Sequence, residues 1–120
     1  MVLVAVDDLL FSSKIRTVAK QAGVDVTFAR TPDEILERMR TLKPALVIFD
    51  LNSAKADPIN TVSAIKRDPD IASIRTVGFV SHVDSATIAA ARNAGVDEIM
   101  ARSAFAAQLA DVLLAGSGQR

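Results

Sequence analysis

The chain has no cysteine, which excludes a disulfide framework and any thiolate metal site, and fits a reducing, cytoplasmic compartment. Tryptophan and tyrosine are also missing, and the only aromatics are five phenylalanines, so a stacking platform for single-stranded bases is not in evidence. Neither sign of charge prevails: 14 acids face 14 lysines and arginines. The basic excess of a general nucleic-acid or membrane-surface binder is therefore lacking. Long hydrophobic runs are missing too. The first apolar stretch, Val2-Leu3-Val4-Ala5-Val6, meets Asp7 and Asp8 at once, which suits neither a signal peptide nor a membrane span. Neither a G-x-G-x-x-G fingerprint nor a P-loop occurs, which argues against a nucleotide-binding module. There is no internal repeat, low-complexity segment or linker.

What remains is a chain of 120 residues, half of them hydrophobic, enough for one domain with a real core. The apolar residues fall into short runs alternating with stretches of helical periodicity. Val2–Val6 reads as a strand. Leu9–Ala22 reads as a helix, with Phe11, Ile15, Val18, Ala19 and Ala22 on one stripe and Gly23 as its C-terminal cap. Val24–Ala29 suits a second strand. Thr31-Pro32-Asp33-Glu34 has the chemistry of a helix start, with Thr as N-cap, Pro at the first helical position and Glu at the third. The helix carries Ile35, Leu36, Met39 and Leu42 and stops at Lys43-Pro44. Leu46–Asp50 follows as a continuous apolar run, the pattern of a strand buried on both faces. Pro58 opens a third helix, with Ile59, Val62, Ala64 and Ile65 on one side, closed by the turn Asp68-Pro69-Asp70. Thr76–Val80 is a fourth strand, Asp84 caps an alanine-rich helix through Asn93, and Gly95 closes it. Val96–Ala101 is a last short strand. Ser103 then caps a final helix from Ala104 to about Ala115. The order βαβαβαβαβα predicts an α/β fold, a parallel sheet covered on both faces. The domain spans 1–115, and 116–120 is a frayed tail.

The acids stand at the ends of strands. Asp50 ends the buried run, Asp7 and Asp8 end the first strand, and Ser81-His82 ends the fourth. In open α/β sheets the C-terminal edge is where ligands and chemistry collect. If these strands are parallel neighbours, three carboxylates and a hydroxyl share a small area. Carboxylates that close repel, and the usual remedy is a hard divalent cation with oxygen ligands, Mg²⁺ in particular, which keeps positions open for phosphate oxygens. A carboxylate there can also act as a nucleophile and form an aspartyl-phosphate, with the Ser81 hydroxyl and a nearby cation facing the transferred group. Plainer readings stand beside these. Asp7 or Asp8 can cap the first helix, Ser81 can cap a turn, Arg102 can be a surface cation near a helix start, and His82 a half-exposed side chain. The stripe Ala86, Ala89, Ala90, Ala91, Ala94 can be packing or a thin surface for a partner.

With Val6-Asp7-Asp8, Ile48-Phe49-Asp50-Leu51-Asn52, Val80-Ser81 and Gly95-Val96-Asp97-Glu98-Ile99-Met100 in this order, the chain resembles the receiver domains of bacterial two-component response regulators over nearly its whole length. The resemblance implies a (βα)5 doubly wound sheet of five parallel strands in order 2-1-3-4-5, a flavodoxin- and CheY-like three-layer sandwich. It implies that Asp50 accepts a phosphoryl group from a histidine kinase or phosphotransfer protein. It further implies that Asp7, Asp8, Asp50 and the Asn52 backbone carbonyl hold Mg²⁺, and that Ser81 and Arg102 meet the phosphoryl group. Output would pass to a protein partner over the face of helix 4, strand 5 and helix 5, from a monomer or weak homodimer, without direct nucleic-acid or membrane contact. The module would be no enzyme beyond weak self-phosphorylation and self-dephosphorylation. Several positions depart from the family pattern. Arg102 followed by Ser103 replaces a lysine usually followed by proline, Ala54 stands where proline is usual, and Pro58 where glycine is common. His82 follows Ser81 where a small residue is usual, and the Asp7–Gly23 stretch is about one residue short. Arginine keeps the charge but is bulkier and planar. The second reading is accordingly a pseudo-receiver, a binding module independent of phosphorylation. A small phosphohydrolase is disfavoured because Asn52 stands where such enzymes want a second carboxylate.

Overall fold

In the computed structural model, which describes residues 1–81 and 84–116, five strands alternate with helices along the chain. They are β1 (Val2–Ala5), α1 (Leu9–Ala22), β2 (Val26–Phe28), α2 (Pro32–Leu42), β3 (Leu46–Asp50), α3 (Pro58–Arg67), β4 (Arg75–Val80), α4 (Ser85–Ala94), β5 (Glu98–Ala101), α5 (Arg102–Ala107) and α6 (Leu109–Ala115). The strands form one parallel sheet in the order β2-β1-β3-β4-β5. The doubly wound α/β architecture expected from the alternation is the one observed.

Alternation along each strand divides the core in two, because successive side chains point to opposite faces of a sheet. Val2, Val4, Leu46, Ile48, Val77 and Phe79 pack with Phe11, Ile15, Phe105, Leu109 and Leu113, so α1, α5 and α6 cover that face. Leu3, Ala5, Val47 and Phe49 pack with Ile35, Met39, Val62, Ile65 and Ala91, so α2, α3 and α4 cover the other. Both faces of β1 and β3 are buried, which is why those strands read as unbroken apolar runs.

The helix boundaries follow their capping residues. The Thr31 hydroxyl accepts from the Glu34 N–H while the Glu34 carboxylate accepts from the Thr31 N–H, a complete capping box. Asp8 caps α1 and Asp84 caps α4 through their side chains, and Gly23 and Gly95 end those helices in the left-handed region.

The end of the chain differs from expectation. Ser103 does not cap the last helix. Strand β5 runs into α5 without a loop, Ala101 takes the extended N-cap conformation, and helical backbone already begins at Arg102. Nor is the helix continuous, for Gln108, at φ −107° and ψ 15°, separates α5 from α6. Phe105, Leu109 and Leu113 are buried on either side of this break, so both segments stay seated on the sheet. Gly116, assigned to the tail by the sequence, is buried: a Cβ there would stand 2.7 Å from the Cβ of Leu46. The rest of the expected tail, 117–120, lies outside the described residues.

Gly78 on β4 is paired with Phe49. A Cβ at Gly78 would stand 2.7 Å from Leu51 Cδ1 and 2.8 Å from its Cγ, and Leu51 is itself buried. Gly78→Ala is therefore expected to lower stability by about 1–3 kcal/mol through overpacking. Urea unfolding checks this, and an unchanged midpoint would contradict it.

Candidate functional site

The register of the sheet delivers the candidate residues to one edge. Ala5 pairs with Phe49, Asp50 with Phe79, and Val80 with Ala101. The residues that follow these pairs, namely Asp7 and Asp8, Asn52, Ser81 and Arg102, therefore leave the sheet side by side at its C-terminal edge. Since each strand rises only about 3.3 Å per residue, a slip of one position in any of them would dismantle the group.

Asp50 is the sheltered member, only 9% exposed at the end of the middle strand. Its Oδ1 accepts the Asn52 N–H at 2.9 Å. Burial pushes its pKa above the ordinary aspartate value. The Asn52 N–H and the Arg102 charge oppose that shift, and the charges of Asp8 and Asp7 add to it. These influences place Asp7, Asp8, Asp50 and Arg102 in one electrostatic neighbourhood.

Arg102 joins that neighbourhood together. Its Nη2 donates to Asp8 Oδ2 at 2.9 Å and its Nη1 donates to Ser81 Oγ at 3.4 Å. The Ser81 N–H donates to Asn52 Oδ1 at 2.7 Å, and the Asn52 N–H reaches Asp50. Four hydrogen bonds thus run from the Asp8 carboxylate to the Asp50 carboxylate through residues of four different strand ends. Under the guanidinium lies an aromatic bed. Arg102 Cζ is 4.3 Å from the centre of the Phe11 ring and 6.0 Å from that of Phe79, and Phe105 stacks on Phe79 at 4.8 Å. A planar, weakly hydrated cation suits such a bed better than an ammonium would.

Of the expected site residues, Asp8, Asp50, Asn52, Ser81 and Arg102 are linked in this chain. Asp7 is turned outward, 3.8 Å from Arg30 Nε. Asp8 both caps α1, its Oδ1 accepting from the Leu10 and Phe11 N–H groups, and pairs with Arg102, which holds its pKa below the ordinary value. His82 lies outside the described residues. The side chain of Asn52 and the phenylalanine bed were not singled out from the sequence. The Asn52 side chain gives no sequence signal, since its partner Ser81 lies on another strand end, and phenylalanines at helical or strand spacing read only as core.

In this arrangement the acids of the first loop are occupied by cations of the chain itself. Both Asp8 oxygens are engaged, Asp7 faces Arg30, and among the described residues no group of three or more His, Cys, Asp or Glu side chains is placed to hold a metal.

The family model of the response regulator receiver domain matches residues 2–113. The chain is similar to solved structures of a response regulator from Hahella chejuensis (18% identity, TM-score 0.83, covering 94% of this chain and 91% of that one) and a signal receiver domain from Bermanella marisrubri (21%, 0.81, 96% and 95%). It is also similar to the phosphorylated cyanobacterial phytochrome response regulator RcpA (21%, 0.77, 93% and 86%). At these identities the likeness to solved structures establishes the fold. No curated protein sequence matches the chain.

The raised pKa of Asp50 has a sign that can be checked. A carboxyl whose folded pKa lies above its unfolded value contributes stability below the ordinary aspartate range, and that contribution is lost as pH rises through the folded pKa. Asp50→Asn removes the loss. The variant is expected to melt at a higher temperature than the wild type at neutral pH, with the gap narrowing as pH falls into the aspartate range. Melts followed by circular dichroism test this, and a variant that is less stable at neutral pH would contradict it.

Proposed function

This chain belongs to the response regulator receiver domain family, and on that premise we propose that it is a signalling receiver whose Asp50 accepts a phosphoryl group from a histidine kinase or phosphotransfer protein. One observation carries this reading: a sheltered carboxylate at the end of the middle strand, tied through Asn52 and Ser81 to a guanidinium. The phosphorylated state of the cyanobacterial relative supports it by analogy.

With Oδ1 held by the Asn52 N–H, Oδ2 is the oxygen that attacks phosphorus. The O–P bond forms as the donor's N–P bond breaks, and the departing imidazole nitrogen keeps the electron pair and takes up a proton. The product is an acyl phosphate at Asp50. It places new negative charge and new acceptor oxygens beside Ser81 and Arg102. Arg102 then has two anions to serve, Asp8 and the phosphoryl group, and a redistribution of its hydrogen bonds toward the second is the switching event. The family resemblance brings Mg²⁺ to such sites, but with Asp8 engaged as it is, no step here runs through a metal.

Arg102 opens α5 directly from β5, so a movement of its head is coupled to the face formed by α4, β5 and α5. There β5 is an edge strand and α4 exposes Ala86 and Ala89, features that support a protein partner docking on this face. Among the described residues no helix is long and apolar enough to cross a membrane, and we place the module in the cytoplasm as a monomer or weak homodimer.

Incubation with a small phosphodonor such as phosphoramidate, followed by intact-mass spectrometry, tests the reading. The wild type is expected to gain the mass of one phosphoryl group in a hydroxylamine-labile linkage, and Asp50→Asn to gain none. No gain by the wild type, or an equal gain by the variant, would overturn phosphoryl acceptance at Asp50 and favour the phosphorylation-independent binding module.

A further inference from the structure

The acidic edge of this sheet already contains a cation. Arg102 donates to Asp8 Oδ2 at 2.9 Å, and the remaining Asp8 oxygen is taken by the Leu10 and Phe11 N–H groups at 2.9 and 3.1 Å. The guanidinium carbon lies 4.3 Å from the centre of the Phe11 ring, so an apolar surface covers it there while its nitrogens reach Asp8 and Ser81. Phe11, Phe79 and Phe105 pack against one another, with ring centres 4.8 to 5.8 Å apart, and this bed gives the guanidinium a fixed seat. Asp7 is held 3.8 Å from a second cation, Arg30. Mg²⁺ demands near-octahedral oxygen ligands and gives up water reluctantly. To bind here it would have to take Asp8 Oδ2 away from a neighbour that is tethered to the same chain.

We propose that Arg102 is the resident cation of this site, and that its guanidinium and a divalent metal ion compete for Asp8. The chain balances the acidic edge from within, at the cost of affinity for the ion. This inference concerns metal affinity alone and goes beyond the reading of Asp50 as a phosphoryl acceptor. It is tested without any phosphodonor, so the two can fail separately.

The experiment is a calorimetric titration of the full chain with MgCl₂, repeated with MnCl₂, on wild type, Arg102→Gln, Arg102→Lys and Asp8→Asn. Arg102→Gln is expected to bind the ion about tenfold or more tightly than wild type, a difference of the size that loss of one nearby cation produces at a partly exposed acidic site. Arg102→Lys keeps the charge but loses the fork and the stacking on Phe11. It is expected to fall between the two, and it serves as the test if the glutamine variant does not fold. Asp8→Asn is expected to bind weakly whatever stands at 102, because the contested carboxylate is gone. Equal affinity of wild type and the folded Arg102 variants would overturn the proposal, as would tight binding by Asp8→Asn.

Discussion

The structure turns on the bridge that Arg102 makes between Asp8 and Ser81. Without it, the ends of β1, β3 and β4 would present like charges and an idle hydroxyl to the same water. With it, a single planar cation ties the beginning of α1 to the end of β4, and the Asn52 side chain extends the tie to Asp50. The sheet register makes this possible, because parallel neighbours release their next residues at one edge. The hydrophobic core supplies the sheet; the bridge gives the edge its geometry.

Seating a guanidinium on phenylalanine has a second consequence. Phe11, Phe79 and Phe105 come from α1, β4 and α5, the elements that meet beneath the site. The aromatic cluster is part of the core on that face, so the position of the Arg102 head is set by packing as well as by charge. The partial burial of Asp50 works in the opposite sense. It holds a carboxylate where its charge is disfavoured, a stability cost of the kind that functional sites carry and the surrounding fold offsets. Leu9 and Leu10, 71% and 85% exposed at the start of α1, lie directly beside this edge, and the packing of the domain gives no reason for their exposure.

Much of the architecture was legible in the residues because it rests on local chemistry. Thr31-Pro32-Asp33-Glu34 carries its own capping box, Asp84 and Gly95 bracket α4, and the short continuous apolar run Leu46–Phe49 has the pattern of the doubly buried strand it forms. The convergence of Asp8, Asp50 and Ser81 followed from three strand ends and the parallel order. Other features depend on side-chain direction and tertiary contact, which spacing does not encode. Ser103 has cap chemistry, but β5 turns into helix two residues earlier than that cap would allow, and the break at Gln108 carries no proline or glycine to announce it. The sequence allows Asp8 to be either a helix cap or a ligand; it caps α1 with one oxygen and binds Arg102 with the other. That pairing spans 94 positions of sequence, and nothing in the local pattern of either residue points to the other.

The Arg102 head rests on Phe11, and its bond to Asp8 holds it there together with the packing of the rings beneath it. A side chain stacked over an aromatic ring has its protons shifted upfield by the ring current, so proton NMR of the Arg102 side chain measures this directly. Upfield-shifted Arg102 δ-protons are expected in the wild type, moving toward ordinary arginine values in Asp8→Asn. Ordinary shifts in the wild type, or upfield shifts unchanged by that substitution, would contradict this arrangement.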